Sequence, residues 1–148
     1  MVIRNYDDED FPQVEELLKK SGIYWSSYDR RDILKKKIEN DPESIIVAED
    51  DGNVIGIIFF VYDPWSSYIL HLAVDAEHRK KGIGRVLVEE AILGTKLKKA
   101  DELYLEVRCS NNEAVRLYEK IGFVIKQRLK AYYRDGEDAY LMAIEFSY

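Results

Sequence analysis

The stretch HRKKGIGRVLVEEA, residues 78–91, sets Arg79, Lys80 and Lys81 directly before Gly82 and Gly84 and continues as an apolar, proline-free run. The first four N–H groups of a helix have no intrahelical partner, and the helix dipole concentrates partial positive charge there. Glycine lets a ligand approach such a backbone closely. With Arg79, Lys80, Lys81 and Arg85 adding formal charge, the segment suits a phosphate or pyrophosphate. By themselves the glycines fit a plain strand-to-helix turn with solvated cations better than a binding site. A nucleoside-triphosphate loop would end in Gly-Lys-Ser or Gly-Lys-Thr, which is absent. A dinucleotide fingerprint, G-x-G-x-x-G, begins at Gly82 and Gly84, and Asp101 stands near the distance of a ribose-binding acid. Its third glycine, however, is Leu87, where helix and strand must pack closely. Several β-rich runs also precede this segment, whereas that fingerprint follows the first strand of its unit.

Other side chains with chemical potential are few. Alternation in LYLEV puts Leu103, Leu105 and Val107 on one strand face and Tyr104 and Glu106 on the other. A solvated strand face is the plain reading of Glu106. Tyr118 is a phenol, a proton donor at neutral pH, but it sits with Val115 and Leu117 in an apolar group that also reads as packing. Tyr68 and His71 share an earlier β-rich run. Cys109 is the only cysteine, so the chain forms no internal disulfide and no cysteine-based zinc site. Its neighbour Arg108 would lower a thiol pKa, yet the residue reads as structural. No metal site is expected. The aromatic stretches Tyr24-Trp25-Ser26-Ser27-Tyr28 and Tyr132-Tyr133 are surface or packing groups, or the walls of a groove.

The elements that must position these residues follow from periodicity. Val2–Arg4 reads as a short strand. Asp7–Asp10 gives an acidic helix start, with Phe11, Val14, Leu17 and Leu18 at helical spacing and an end at Ser21-Gly22. A second helix spans Asp29–Glu39. Ser44–Glu49 and Val54–Tyr62 are strands joined by DDGN, a hairpin signal. A turn at Asp63-Pro64 leads to a strand over Tyr68–Val74, and the glycine segment then opens a helix reaching about Lys98. Leu103–Arg108 is a strand, and Asn111–Ile121 a helix closed by Gly122. Phe123–Ala131 and Ala139–Phe146 are final strands around RDGED. Strands separated by helices imply parallel pairing and hairpins imply antiparallel pairing. The expected product is a mixed α/β sheet of about seven strands with four helices on both faces.

The 148 residues suit a single domain, residues 1–148. A 47% apolar and 34% charged composition is globular, and the net charge of −6 argues against a general nucleic-acid binder. The N-terminus lacks an apolar signal core, and no apolar run approaches the ~20 residues needed to cross a bilayer. A cytoplasmic protein without nucleic-acid or membrane partners is expected, as a monomer or homodimer.

Arg79-Lys80-Lys81-Gly82-Ile83-Gly84, following the strand LHLAV, resembles the acyl-CoA loop R/Q-x-x-G-x-G/A of the GNAT acetyltransferases. LYLEVRCSNNEAVRLYEKIGF, residues 103–123, is similar to the second half of that core in the RimI-like and archaeal N-terminal protein acetyltransferases, through Glu106-Val107-Arg108, Ser110-Asn111, Ala114, Leu117-Tyr118 and Gly122-Phe123. YYRDGEDAYLMAI, residues 132–144, resembles their C-terminal hairpin. The specific similarity runs from about residue 68 to 144, and the first third matches in outline.

The resemblance implies the GNAT fold, with the fourth and fifth strands splayed around acetyl-CoA. It places the backbone of Leu72, Ala73 and Val74 on the pantetheine, residues Arg79 to Arg85 (Ile83 included) on the pyrophosphate, and Asn111 and Tyr118 along the CoA arm. Glu106 is then the general base, direct or through water, with Tyr68 and His71 as rivals, and Tyr118 is the acid for the leaving thiolate. Tyr24, Trp25, Tyr68, Tyr132 and Tyr133 become acceptor-groove residues. A peptide α-amine titrates near ~7.8 and a lysine near ~10.4, a gap worth ~3.5 kcal/mol of deprotonation at neutral pH. A single carboxylate or phenol base therefore suits an N-terminal α-amine. A polyamine-type small-molecule acetyltransferase and a non-catalytic CoA-binding subunit are the alternatives, and intact Glu106 and Tyr118 weigh against the second.

Overall fold

The computed structural model describes residues 1–63 and 65–148. The chain runs β1 (Val2–Asn5), a 3-10 turn (Asp8–Asp10), α1 (Phe11–Lys20), α2 (Arg31–Asn40), β2 (Ile45–Asp50), β3 (Asn53–Val61) and β4 (Ser66–Val74). A second 3-10 turn (Ala76–His78), α3 (Ile83–Leu97), β5 (Glu102–Arg108), α4 (Asn112–Ile121), β6 (Val124–Leu129) and β7 (Ala139–Glu145) complete it. The strands form one seven-stranded sheet in the order β1-β2-β3-β4-β5-β7-β6. β4 pairs parallel with β5, while β1/β2, β2/β3, β5/β7 and β6/β7 pair antiparallel. The sheet is mixed, as the alternation of helices and hairpins requires. Its β4/β5 ladder covers only Ser66–Tyr68 against Glu102–Tyr104. β4 continues to Val74 and β5 to Arg108.

Contacts divide the chain into two compact units, residues 1–61 with 70–94 and residues 62–69 with 95–148. In the first, Val14, Leu17 and Leu18 of α1 and Leu34 of α2 pack on Ile45 and Val47 of β2 and Ile57 and Phe59 of β3. These are alternate strand positions, so they share one face. On the opposite face a Cβ on Gly56 would come within 3.0 Å of Ile83 and 3.1 Å of Leu87. Helices therefore cover both faces of these strands. The close strand-to-helix approach that a dinucleotide fold obtains from a helix glycine comes here from Gly56, which leaves room for the fully buried Leu87. The DDGN hairpin forms with Asp51 and Gly52 both at positive φ, +51° and +79°, the conformation of a two-residue primed turn.

In the second unit, Leu103, Leu105 and Val107 of β5 are buried, with Met142 of β7 opposite Leu105. Glu102, Tyr104, Glu106 and Arg108 occupy the half-buried face. Asn111 caps α4 by accepting the Ala114 N–H at 3.2 Å. Gly122, at φ +124°, ends the helix with its N–H on the carbonyls of Tyr118 and Glu119.

Several boundaries differ from expectation for local reasons. α2 starts at Arg31 because Asp29 is committed elsewhere: its carboxylate accepts the Trp25 N–H at 2.8 Å. β6 stops at Leu129, short of Ala131, whose backbone sits at φ +49° with its N–H on the Asp138 carboxylate. β4 begins at Ser66, ahead of the expected Tyr68. The turn expected at Asp63-Pro64 has its proline outside the described residues.

Candidate active site

Alternation along β5 turns Glu106 onto the half-buried face with Tyr104, while its neighbours Leu105 and Val107 anchor the strand in the core. The short parallel ladder brings Tyr68 opposite Tyr104, and the two rings pack at 4.7 Å. From there the Tyr68 hydroxyl donates to Glu106 Oε1 at 2.6 Å. The Tyr132 hydroxyl, from the segment between β6 and β7, donates to the same oxygen at 2.7 Å. Oε2 accepts no hydrogen bond from the described residues. Burial, and then the bond to the Glu106 carboxylate, push the Tyr68 phenol far above its ordinary range. The bond to Glu106, and then burial, push Tyr132 up to about 12. Neither phenol ionises near neutral pH, so neither is a proton acceptor there. In this cluster the carboxylate, with Oε2 open, is the stronger proton acceptor.

Tyr132 is itself held. Its ring meets Tyr133 edge-on at 5.1 Å, and the Arg108 guanidinium lies over Tyr133 at 4.0 Å. Arg108 Nη1 donates to Asp135 at 2.8 Å and to Glu137 at 2.9 Å, and Glu137 also accepts the Ser110 N–H at 2.9 Å. From sequence alone RDGED reads as a turn, and the fold makes two of its carboxylates partners of Arg108. The signal was present in two acids, Asp135 and Glu137, flanking Gly136.

Tyr118 is buried on α4, edge-on to Phe123 at 5.6 Å. Burial raises its phenol well above 10, with the nearby Tyr133 adding a smaller push in the same direction. Its hydroxyl has no hydrogen-bond partner among the described residues, which leaves its proton available. Asn111 spends its side-chain oxygen on the α4 cap.

The first unit holds the glycine–cation segment. Gly82 sits at φ +81° and Lys80 at +64°, so the chain turns sharply before α3. No atom lies within 4 Å of a Cβ built on Gly82. The protein therefore needs glycine there for its backbone angle, while the space beside it is open. Lys80, Lys81 and Gly82 are exposed, with Ile83 buried beneath them. Lys80 and Lys81 form no ion pair among the described residues. Arg79 donates to the Val74 carbonyl at 3.3 Å, and Arg85 pairs with Glu89 at 2.8 Å. Leu72 and Val74 are half-buried and Ala73 is buried at the end of β4.

The loop between α1 and α2 divides the expected aromatic group. Tyr24 packs against the first unit's core and donates to Glu15 at 3.2 Å, with Lys19 over its ring. Trp25 is 54% exposed and stacks on exposed Tyr28 at 5.3 Å. His71 does not stand free as a base. Its Nε2 faces both oxygens of Asp29, at 3.0 and 3.2 Å, and Asp29 is only 1% exposed. The pair ties this loop to β4. The sequence offers His71 as a rival base, and its partner Asp29 emerges only in the fold.

A mixed seven-stranded sheet with a truncated fourth-to-fifth-strand ladder is the fold of the acyl-CoA-dependent N-acetyltransferases. The Acetyltransferase (GNAT) family model matches residues 5–123, and the chain belongs to this family. It is 39% identical over 114 residues to an N-alpha-acetyltransferase of Sulfurisphaera tokodaii, covering 68% of each chain. The fold superposes on the crystal structure of Ard1 from Thermoplasma volcanium with a TM-score of 0.87 at 30% identity, over 99% of this chain and 98% of that one. A chain of the NatC complex, crystallised with Gag peptide and CoA, matches with a TM-score of 0.86 at 28% identity, over 99% and 98%.

Proposed function

We propose that this protein acetylates the N-terminal α-amine of proteins or peptides, using acetyl-CoA, by direct attack in a ternary complex. Residues 1–148 serve as one catalytic domain, and the family model spans parts of both units. The observation that carries the chemistry is the Glu106 carboxylate, with Oε1 occupied by two phenols and Oε2 open. The relatives named N-alpha-acetyltransferase support the choice of acceptor. The amine nitrogen attacks the thioester carbonyl carbon, the C–S bond breaks, and the amine proton passes to Glu106 Oε2, directly or through one water.

Tyr118 donates toward the departing sulfur. Its phenol lies above 10, whereas a thiol titrates near ~8.5, so complete transfer would run uphill by more than ~2 kcal/mol. Its contribution is then a charge-assisted hydrogen bond to the developing thiolate. Residues Arg79 to Arg85 would hold the pyrophosphate, the backbone of Leu72 to Val74 the pantetheine, and Asn111 the CoA arm in addition to its cap. Trp25, Tyr132 and Tyr133 would face the acceptor, and Tyr24 would brace the loop that carries Trp25. The same reading keeps the enzyme cytoplasmic, as a monomer or homodimer. No helix among the described residues is long and apolar enough to cross a membrane.

The test is a competition between peptides of one sequence, one offering a free α-amine and the other only a lysine, read by mass spectrometry with acetyl-CoA. Preferential α-acetylation is expected. Preference for lysine, or turnover only with free polyamines, would replace this reading with a lysine or small-amine acetyltransferase.

A further inference from the structure

We propose that Arg108 is a positioning residue for the acetyl-transfer base, acting through Tyr133 and Tyr132 on Glu106. The inference rests on the function proposed above. Each link is a direct contact within the second unit. Arg108 Nη1 is shared between Asp135 at 2.8 Å and Glu137 at 2.9 Å, on the segment between β6 and β7. Its guanidinium plane covers the Tyr133 ring at 4.0 Å. Tyr133 meets Tyr132 edge-on at 5.1 Å, and Tyr132 donates to Glu106 Oε1 at 2.7 Å. Arg108 and Glu106 lie two residues apart on the same face of β5, so one strand carries both the base and the group that aims its donor.

Geometry and exposure separate this role from a merely stabilising one. The Arg108 side chain is 41% exposed and that of Asp135 61%. Exposed ion pairs contribute little to folding. The segment also has independent holds, since Asp138 accepts the Ala131 N–H and pairs with Arg128. Losing Arg108 should therefore leave the fold intact and release Tyr132. A freed Tyr132 leaves Glu106 Oε1 with Tyr68 as its single donor. The carboxylate can then rotate and offer either oxygen to the amine, and small misplacements at a reacting centre cost rate.

The experiment is a double-mutant cycle between Arg108→Met and Tyr132→Phe, read as kcat and KM for an α-amino peptide, with amide hydrogen exchange over residues 131–138. Arg108→Met alone should lower kcat about tenfold, within the range assigned to misplaced groups. Added to Tyr132→Phe, it should cost less than about twofold further, because coupled residues are not additive. Acetyl-CoA affinity and Tm should stay near wild type, and exchange at Tyr133 and Gly136 should quicken. Arg108→Lys keeps the charge but loses the fork and the ring contact, and should behave like Arg108→Met. Additive effects, full activity in Arg108→Lys, or unchanged exchange in folded Arg108→Met would each overturn the inference. Wild-type protein that acetylates no peptide would instead overturn the function proposed above. The exchange comparison would then decide alone whether Arg108 holds the Tyr132 segment.

Discussion

At the scale of single residues, the proposed mechanism puts Glu106 and Tyr118 at opposite ends of the proton inventory. Glu106→Gln keeps the shape and the two phenol bonds to Oε1 but places an amide where Oε2 would accept a proton. Base contributions are typically about 10²–10⁴-fold, so kcat near neutral pH should fall by that order. The loss should shrink as pH rises past about 8, where a peptide α-amine deprotonates unaided. Single-turnover acetylation from pH 6 to 10 measures both effects. A variant with wild-type chemistry throughout would remove Glu106 from the role. It would leave no replacement among the phenols, because Tyr68 and Tyr132 both stay protonated across that range. Tyr118→Phe removes a hydrogen bond to a charged group, worth about 1.5–3 kcal/mol, or about 10- to 150-fold in kcat. Its buried ring and its packing on Phe123 survive, so CoA affinity and folding should hold.

At the scale of elements, legibility followed how local the cause was. The start of α4 near Asn111, the Gly122 stop and the DDGN hairpin were readable because each is decided within about five residues of chain, although Asn111 proves to be the cap and not the first helical residue. The β5 face carrying Glu106 was readable because strand alternation needs no partner. The partners were not readable. Asp29 and His71 are 42 residues apart, and Tyr68 and Glu106 are 38 apart, so each pairing exists only after the sheet has formed. Asp29 serves two elements at once, the Trp25 N–H in its own loop and His71 on β4. Asp29→Ala removes the buried acceptor of both contacts. It should destabilise the protein by about 1–3 kcal/mol and raise KM for the acceptor, because the Trp25–Tyr28 loop loses its tether. Acetyl-CoA affinity, measured by calorimetry, should not follow. An unchanged acceptor KM in a folded Asp29→Ala protein would dissociate that loop from the acceptor. The glycine turn makes the converse case. A Cβ at Gly82 meets no protein atom within 4 Å, so the main folding cost of Gly82→Val is the strained φ, about 1–2 kcal/mol. Its side chain would stand at the proposed diphosphate site. Calorimetry should show acetyl-CoA binding weakened at least about tenfold, or about 1.4 kcal/mol, and unchanged affinity would move the diphosphate elsewhere.

At the scale of the whole molecule, stability is tied to carboxylates that stay ionised. Asp10 is the most consequential, because it is nearly buried. Its desolvation favours the neutral acid, yet the Arg4 guanidinium, through paired 2.8 Å contacts, and the Asp7 N–H outweigh that and hold the carboxyl below its ordinary value. Asp8 with Arg31, Asp138 with the Ala131 N–H and Arg128, and Glu137 with Ser110 and Arg108 are lowered as well. A depressed folded-state pKa means that the unfolded chain takes up protons first. The stabilisation is complete above the unfolded value, near ~4, and is lost as pH falls through the lower folded value. Urea unfolding midpoints should therefore be nearly flat from pH 7 to about 5 and fall steeply below about 4. Asp10→Asn should lower the midpoint at pH 7 and flatten the acid limb, with the two proteins converging below about pH 3 as wild-type Asp10 is protonated. A wild-type midpoint that holds steady from pH 5 to 3, or an Asp10→Asn profile parallel to wild type, would show that these ion pairs do not carry the acid sensitivity.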